Sequence, residues 1–397
     1  MNLPKLNRRG GYSKSLLLLV LPLALAVAGW ITVFHAWRQA HDLRWFGDLM
    51  VAHDFAQHHA AGDLWRKEGP ESVYAPEAIG RTLQNLHGSS RSTTLFAQSG
   101  YLYPPPVGWL ASVFCPSDYR AAVSAFWALT GCLALVGVVV SASVWGSMQE
   151  PRWVPIVWGL TFPSFLAAMI YGQMSAFGLF FVALGGWMAQ RGQAWLAGLF
   201  VAFLAIKPTW LVAFLPVIWM AGFGKVAGRA LVCVLVGGLI SLVYCGGWTV
   251  HGAWWEVASQ HVHNRAAWLL SGSLPGLVAA VVAQAPGWVN WAVFALGLGI
   301  VAIGRTWLFQ KDHGPERCWA MALAISALIS PYLLHYDLVF FIPLMMAVGN
   351  RPARWLLWLA ALAGFLAPIV GLPTAPLLGL AAVYLATRPK VTSAYPL

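Results

Sequence analysis

The chain has 397 residues, of which 59% are hydrophobic and only 9% are charged. A soluble domain carries about 25% charged residues, so this composition excludes an ordinary soluble protein and favours one that crosses a membrane many times. The net charge of +11 does not indicate nucleic-acid binding, because the basic residues lie in short loops between apolar stretches. An excess of basic residues in short loops is typical of the cytoplasmic loops of membrane proteins. We therefore expect the protein to interact with a lipid bilayer and not with nucleic acid.

The first apolar stretch, residues 15–36, is longer than the ~7–15 residues of a signal-peptide core and long enough to span a bilayer. It follows a basic segment that contains Lys5, Arg8, Arg9 and Lys14. Basic flanks stay on the cytoplasmic side. We therefore predict an uncleaved first span that takes the chain from the cytoplasm to the outside.

Residues 37–100 are predicted to form a long external loop that concentrates the polar chemistry. Seven of the 13 acidic residues and five of the 11 histidines lie in it. The densest part is "VAHDFAQHHAAGDLW", residues 51–65, which includes Asp54 and Asp63. Such a concentration in so apolar a chain indicates a functional segment.

The rest of the chain alternates apolar stretches with polar turns and predicts about 12 spans, with both termini in the cytoplasm. The spans predicted after the first are 121–146, 153–170, 174–190, 193–206, 209–222, 230–250, 289–308, 317–333, 336–349, 354–370 and 373–388. Two shorter apolar stretches, 102–116 and 274–287, are predicted as helices in the outer interface of the membrane.

Several polar residues interrupt the apolar sequence, and in this topology all of them lie on the side of the first loop. They are Tyr171, Gln173, Lys207, His263, Arg265, His335 and Asp337. A charged group at membrane depth is costly unless it lines a cavity or has a partner. The pattern predicts an external polar cavity covered by the first loop.

The histidines and cysteines do not form a metal-binding motif. His58 and His59 are adjacent and face different ways on a helix, and no H-x-x-x-H or H-E-x-x-H pair occurs. The five cysteines are scattered without a C-x-x-C pair. We expect no metal and no other cofactor. No G-x-G-x-x-G or P-loop pattern of a nucleotide site occurs in the sequence.

Five stretches, taken in order, resemble the successive signatures of glycosyltransferase family 87, over residues 50 to 350. They are "DFAQHHAAGDLWRKEGPESVYAPEA", "YLYPPPVGWL", "YGQMSAFGLFFVAL", "RGQAWLAGLFVAFLAIKPTWLVAFLPV" and "SPYLLHYDLVFFIPLM". The Ser-Pro turn of the family often carries Trp and paired His, where this chain has Tyr332, Leu334, His335 and Tyr336.

This resemblance implies a C-type glycosyltransferase fold in a single integral-membrane domain over residues 1–397, with 37–120 as the external catalytic loop. Members of the family take a sugar, usually mannose, from a polyprenyl-phosphate carrier and attach it to a lipid or glycan acceptor on the non-cytoplasmic face. We therefore expect a bacterial-type inner (plasma) membrane location with the active site on the periplasmic or external face.

An inverting sugar transfer needs a carboxylate that deprotonates the acceptor hydroxyl. Aligned with the Asp-Phe pair of the family, Asp54 is our choice for this base, with Asp48 as its rival. A helix-capping or solvated Asp54 is the structural alternative. Asp63, beside Gly62, better fits a role at a helix end or turn.

The departing phosphate needs cationic or hydrogen-bonding groups around it. Lys207, flanked by apolar residues and followed by Pro208, is the candidate phosphate clamp; the alternative is that it extends to the membrane interface. Arg265 is a second phosphate candidate. The remaining candidates for contacts with donor or substrate are His335, Gln173, Tyr103 and His59.

Two other functions fit some of these features. A transporter or flippase for lipid-linked saccharides would also have about 12 spans, but would be expected to show a repeated half-architecture, which the sequence does not show. A polymer ligase would use a lipid-linked sugar but place its large loop late in the chain. The sequence leaves the sugar, the acceptor, the linkage and the oligomeric state open.

Overall fold

The computed structural model describes residues 22–31, 51–90, 99–146, 150–261, 271–282, 288–310, 313–348, 351–370 and 374–387, with the isolated positions 20, 34, 38, 94 and 97. Within these residues every regular element is a helix, and the β-type contact is an isolated bridge between Ser271 and Leu334. The prediction of an all-α protein is confirmed for this part of the chain.

The described α-helices are α1 (Pro22–Ile31), α2 (Phe55–Glu68), α3 (Pro76–His87), α4 (Pro105–Phe114), α5 (Tyr119–Trp145), α6 (Trp153–Leu160), α7 (Pro163–Tyr171), α8 (Ser175–Gln190), α9 (Ala194–Ala202), α10 (Pro208–Ile218), α11 (Gly224–Tyr244), α12 (Gly247–His261), α13 (Leu274–Val281), α14 (Trp288–Ile303), α15 (Arg305–Leu308), α16 (Gly314–Ile329), α17 (Ile342–Ala347), α18 (Arg351–Val370) and α19 (Ala375–Thr387). Short 3-10 segments cover Ser72–Tyr74, Phe203–Ile206 and His335–Phe341, and a π-helical turn covers Trp219–Phe223.

Two helical stretches are long and apolar enough to cross a membrane, α5 and the stretch Pro208–Tyr244 that joins α10 and α11. The helices α6 and α7 meet the same test only together, with a bend of 43° between them. Seven further apolar helical stretches of 10–17 residues are present in the described residues, among them Pro352–Ala367 within α18, and each is shorter than the ~20 residues that a straight crossing needs. An integral membrane protein is supported, but the count of about 12 spans is not reached by these helices and stays a prediction.

The stretch Pro208–Tyr244 is interrupted at Gly222, which has a left-handed φ of 95°. Phe214 and Phe223 both lie edge-on to the ring of Trp319, at centroid distances of 5.4 and 5.0 Å. Residues nine apart point to opposite faces of a straight α-helix, so the chain must bend between them. The bend agrees with the turn predicted between the spans 209–222 and 230–250.

Apolar side chains lie both inside the helical bundle and on its outer surface. α16 is buried from Cys318 to Ile329. By contrast, α11 exposes Leu235, Leu239 and Val243 by 60%, 64% and 76%. A helix with large apolar residues on its outer face fits a lipid environment, which supports placing this bundle in a membrane.

The described parts of the first loop share an apolar core with α4, the start of α5 and α12. α2 lies so close to α4 that a Cβ atom on Gly62 would be 2.6 Å from the carbonyl oxygen of Ala111. From α12, the indole nitrogen of Trp254 donates to the carbonyl of Leu102 at 3.1 Å. The stretch predicted as a short interfacial helix, 102–116, contains the ten-residue α4.

Candidate active site

Hydrogen bonds to main-chain groups of residues 51–54 hold this segment against the bundle. The hydroxyl of Tyr119 donates to the carbonyl of Val51 at 2.6 Å, and the amide of Asp54 donates to the carbonyl of Tyr171 at 2.7 Å. Between these anchors, Ala52 has a left-handed φ of 53°, which costs a residue with a side chain about 1–2 kcal/mol. The surrounding contacts maintain this strained segment, and Asp54 is held at a defined position before α2.

The turn between α7 and α8 fits against this segment because Gly172 has no side chain. Its φ is 70°, and a Cβ atom there would lie 2.7 Å from Cβ of Phe55 and 2.8 Å from Cβ of Ala52. Glycine satisfies both the left-handed backbone and the close contact. The turn therefore places the next residue, Gln173, beside Asp54.

The side chain of Asp54 is bound by Gln173 and does not cap α2. Nε2 of Gln173 donates to Oδ2 of Asp54, and the hydroxyl of Tyr103 donates to Oε1 of Gln173 at 3.1 Å. Asp54 occupies the N-cap position without making a side-chain cap bond, and its side chain keeps 16% exposure. This geometry argues against the helix-cap alternative and leaves a carboxylate that a substrate can approach.

Burial is the largest influence on Asp54, and it raises the pKa of the carboxyl group above its ordinary value of 3.8. The charge of His53, the hydrogen bond from Gln173 and the ammonium group of Lys207 lower the pKa, while the negative charge of Asp337 raises it. A raised pKa brings a carboxylate closer to the operating pH, where a general base is most effective.

Lys207 forms an ion pair with Asp337. The lysine Nζ lies 2.6 Å from Oδ2 of Asp337, and the hydroxyl of Ser175 donates to Oδ1 at 2.7 Å. The Asp337 side chain is fully buried, whereas Lys207 keeps 11% exposure. Pro208 disfavours a helical conformation at the preceding residue, and the φ of −133° at Lys207 shows the break that turns its side chain toward Asp337.

Aromatic rings surround the ion pair and connect it to His335. The Nζ atom of Lys207 lies 4.9 Å from the ring centre of Tyr336 and 5.1 Å from that of Trp210, within the range of cation–π attraction. The buried ring of His335 lies 5.4 Å from Tyr171 and 5.1 Å from Tyr336.

The structure brings together five of the seven predicted site residues. These five, with Asp337, are called the polar cluster: Asp54, Tyr103, Gln173, Lys207, His335 and Asp337. Arg265 and the rival base Asp48 lie outside the described residues.

His59 lies apart from the polar cluster. Its Nε2 atom is 3.0 Å from the carbonyl oxygen of Pro116 and 3.1 Å from that of Ser117, and its ring packs beside those of Tyr119 and His87. In this position His59 ties α2 to the chain just before α5. The binding role predicted for it has no support from this placement and stays a prediction.

Sequence reasoning did not identify the pairing of Lys207 with Asp337 or the contribution of Ser175. The signal for the pair was present, because two opposite charges in apolar sequence on the same side of a membrane are expected to be partners. Ser175 gave no such signal, since serine is common at the start of a helix for reasons of capping alone.

Two further histidines of the first loop, His58 and His87, support its packing. Nδ1 of His58 lies 2.8 Å from the hydroxyl of Tyr101, and burial lowers the pKa of His58 to about 3. Burial likewise lowers the pKa of His87 to about 4. Among the described residues, no group of three or more His, Cys, Asp or Glu side chains is arranged to hold a metal ion.

Comparison with known protein families matches residues 101–331 to the family model described as "Glycosyltransferase family 87". The match covers more than half of the chain and includes Tyr103, Gln173 and Lys207, while Asp54 and Asp337 lie outside it. No curated protein and no solved structure is significantly similar to the chain.

Proposed function

Because the chain belongs to glycosyltransferase family 87 and is therefore a membrane glycosyltransferase, we propose that it transfers a hexose, mannose in the first instance, from a polyprenyl-phosphate sugar. The acceptor is a lipid or a glycan on the non-cytoplasmic face, and the transfer inverts the anomeric carbon. The observation that supports this most directly is the stretch 173–175, whose Gln173 binds Asp54 and whose Ser175 binds Asp337 of the Lys207–Asp337 ion pair. The transporter alternative has no support from the family match.

In the proposed reaction Asp54 acts as the general base. Its carboxylate takes the proton of the acceptor hydroxyl as that oxygen bonds to the anomeric carbon. The bond from this carbon to the phosphate oxygen breaks, and the polyprenyl phosphate leaves with the electron pair. Gln173 holds the Asp54 carboxylate in orientation through its hydrogen bond.

Lys207 is proposed to bind the phosphate of the donor and to stabilise the charge that develops as it leaves. A lysine ammonium has three N–H donors, and the contact with Asp337 uses one of them. Two donors remain for phosphate oxygens. Tyr103 and His335 are proposed to contact the sugar or the phosphate, and Arg265 and His59 remain further proposals for donor binding.

The test is transfer of label by the purified protein from a panel of radiolabelled polyprenyl-phosphate sugars to a membrane lipid extract, with products separated by chromatography. We expect transfer from the mannose donor by the wild type. Asp54→Asn should lower turnover by about 10²-fold or more, the usual scale for a lost general base. The matched control is Asp63→Asn, because Asp63 lies on the same helix and contacts Lys67 at 2.9 Å; it should retain activity.

Asp48→Asn should be mild in the same assay. An inactive Asp48→Asn together with an active Asp54→Asn would move the base six residues upstream and contradict the Asp-Phe alignment. Activity in both variants would require the base to come from Glu256 or Asp337, with the first loop serving only as a cover.

A further inference from the structure

We propose that Asp337 is a positioning residue that holds Lys207 in place, as a cation, for the phosphate group of the lipid carrier. The inference rests on the proposed function, in which Lys207 binds that phosphate. Asp337 itself is fully buried, so it acts through Lys207.

The Asp337 carboxylate is fixed by donors from three separate parts of the chain. Ser175, the first residue of α8, donates to Oδ1 at 2.7 Å, the amide of Leu334 donates to Oδ2 at 3.3 Å, and Lys207 donates to Oδ2 at 2.6 Å. Both oxygens are therefore engaged, and no solvent competes with these bonds because the side chain is not exposed. The carboxylate provides a rigid point to which a flexible lysine is attached.

Lys207 needs such an attachment because its surroundings are otherwise apolar or aromatic. A buried ammonium without a counter-charge is costly, and a long lysine side chain can also extend toward the membrane interface. The 11% exposure of Lys207 shows that part of the side chain is already accessible. Asp337 supplies the counter-charge and binds Nζ.

The pair places the positive charge near the proposed base. Gln173, which binds Asp54, and Ser175, which binds Asp337, are two residues apart, so one short stretch of chain connects the proposed base to the ion pair. A phosphate held at Lys207 would place its sugar near Asp54, and the acceptor hydroxyl would attack from the side opposite the phosphate, as inversion requires. Two other roles for Asp337 make different predictions: it could compete with the phosphate for Lys207, or it could only connect residue 334 to α8.

The experiment measures the binding of polyprenyl phosphate and of uncharged polyprenol to the full-length protein in detergent, by thermal stabilisation over a titration of each lipid. We expect the wild type to prefer the phosphate. Asp337→Asn removes the charge and keeps one of the two oxygens, so that Ser175 retains its acceptor while an NH2 group replaces the oxygen that faces Leu334 and Lys207. It should weaken polyprenyl phosphate binding about tenfold or more without changing polyprenol binding. In turnover it should raise the donor KM more than it lowers kcat.

Ser175→Ala should have a smaller effect in the same direction, because it loosens Asp337 without removing it. The control is Ser326→Ala, which removes a buried serine hydroxyl that donates to Ala322 of its own helix at 2.6 Å; it should bind both lipids as the wild type does. If Asp337→Asn unfolds, the pair Lys207→Met and Asp337→Leu removes both charges together, which proteins tolerate better than one unpaired charge. This double variant should fold and show no preference for the phosphate.

Any of three results would overturn the inference. In the first, the wild type binds polyprenyl phosphate no better than polyprenol, and in the second, Asp337→Asn binds polyprenyl phosphate at least as tightly as the wild type does. The third such result is a double variant that still prefers polyprenyl phosphate to polyprenol. A loss of kcat in Asp337→Asn at unchanged donor KM would assign the residue to the base instead. A wild type that prefers polyprenyl phosphate but transfers no sugar would overturn the proposed function and leave this inference standing.

Discussion

The carboxylate of Asp54 combines partial exposure with a raised pKa, and both properties follow from its neighbours. The side chain keeps 16% exposure, while burial raises the pKa and the hydrogen bond from Gln173 lowers it. Gln173 therefore has two effects on Asp54: it orients the carboxylate, and it favours the ionised form that a base requires.

Gln173→Ala should shift the acidic limb of the pH–rate profile to higher pH. The hydrogen bond stabilises the ionised carboxylate, so its loss raises the pKa of Asp54 further. The protonated, inactive form then persists to higher pH, and kcat/KM falls most at the acidic end. The profile of kcat/KM against pH measures this directly.

Tyr103→Phe is the matched variant for Gln173→Ala. It removes the hydroxyl that donates to Oε1 of Gln173 at 3.1 Å but leaves the amide contact with Asp54, so we expect a smaller shift of the limb in the same direction. If the acidic limb of the Gln173→Ala profile lies at the same pH as in the wild type, Asp54 is not the group whose protonation sets that limb.

Lys207→Ala should weaken use of the lipid-phosphate donor, and Lys207→Arg should retain part of it. A cation beside the leaving phosphate stabilises the transition state by about 3–4 kcal/mol, the scale of a removed electrostatic donor. Donor kinetics of the two variants are the measurement. Wild-type kinetics in Lys207→Ala would show that the lysine only extends toward the interface.

The sequence identified the members of the polar cluster better than their partners. Asp54, Gln173 and Lys207 stood out because polar residues are unusual in such an apolar chain. Their contacts are separated by 119 residues between Asp54 and Gln173 and by 130 between Lys207 and Asp337. Partnership across such separations depends on tertiary packing, and the composition of each stretch carries no information about it.

At the scale of helices, prediction succeeded where apolar length was decisive, since the span 121–146 corresponds to α5, which has 27 residues. Proline opens α4, α7 and α10, as its fixed φ favours, and these helix starts were not predicted. Prediction was weaker where the chain bends. The apolar run 153–170 is divided between α6 and α7, and the angle between these two helices is 43°. The hydropathy of the sequence does not predict such a bend.

Gly172→Ala tests whether the turn between α7 and α8 must contact residues 52–55. The new Cβ would be strained by the φ of 70° and would clash with Phe55 and Ala52. Gly192→Ala is the matched control, because Gly192 has a φ of 73° and nothing within 4 Å of a Cβ atom. Both variants carry the backbone strain, but Gly172→Ala should lose about 1–3 kcal/mol more unfolding free energy and most of its turnover.

The comparison of apparent melting temperatures and turnover between these two variants separates backbone strain from the clash. Equal losses in both would show that the contact between the turn and residues 52–55 does not matter to the site.

Over the whole molecule, basic residues of the predicted cytoplasmic loops have partners of their own outside the polar cluster. Arg354 pairs with Glu150 at 2.8 Å. Arg229 packs on Trp195 and Arg191 on Trp187. The side of the membrane on which these residues and the polar cluster lie remains a prediction.

Single-cysteine labelling tests the orientation. On a background without the five native cysteines, Gln84→Cys should react with a membrane-impermeant maleimide in intact cells, whereas Gln193→Cys should react only after permeabilisation, because basic loops stay in the cytoplasm. Both positions are exposed. Reaction of Gln84→Cys only in opened cells would reverse the orientation and place the polar cluster inside.

The contact of Asp54 with Gln173 also has a consequence for the order in which the protein is made. Asp54 leaves the ribosome early, but its anchors Tyr119 and Tyr171 and its partner Gln173 are translated later, the last after a further 119 residues. At 5–20 residues per second, that interval is roughly 10 s. During this interval the first loop contains the Asp54 carboxylate but the groups that orient Asp54 have not been made, so the growing chain has no assembled site. The Asp337 carboxylate follows Ser175 by a further 162 residues, and catalytic competence therefore arises late in synthesis.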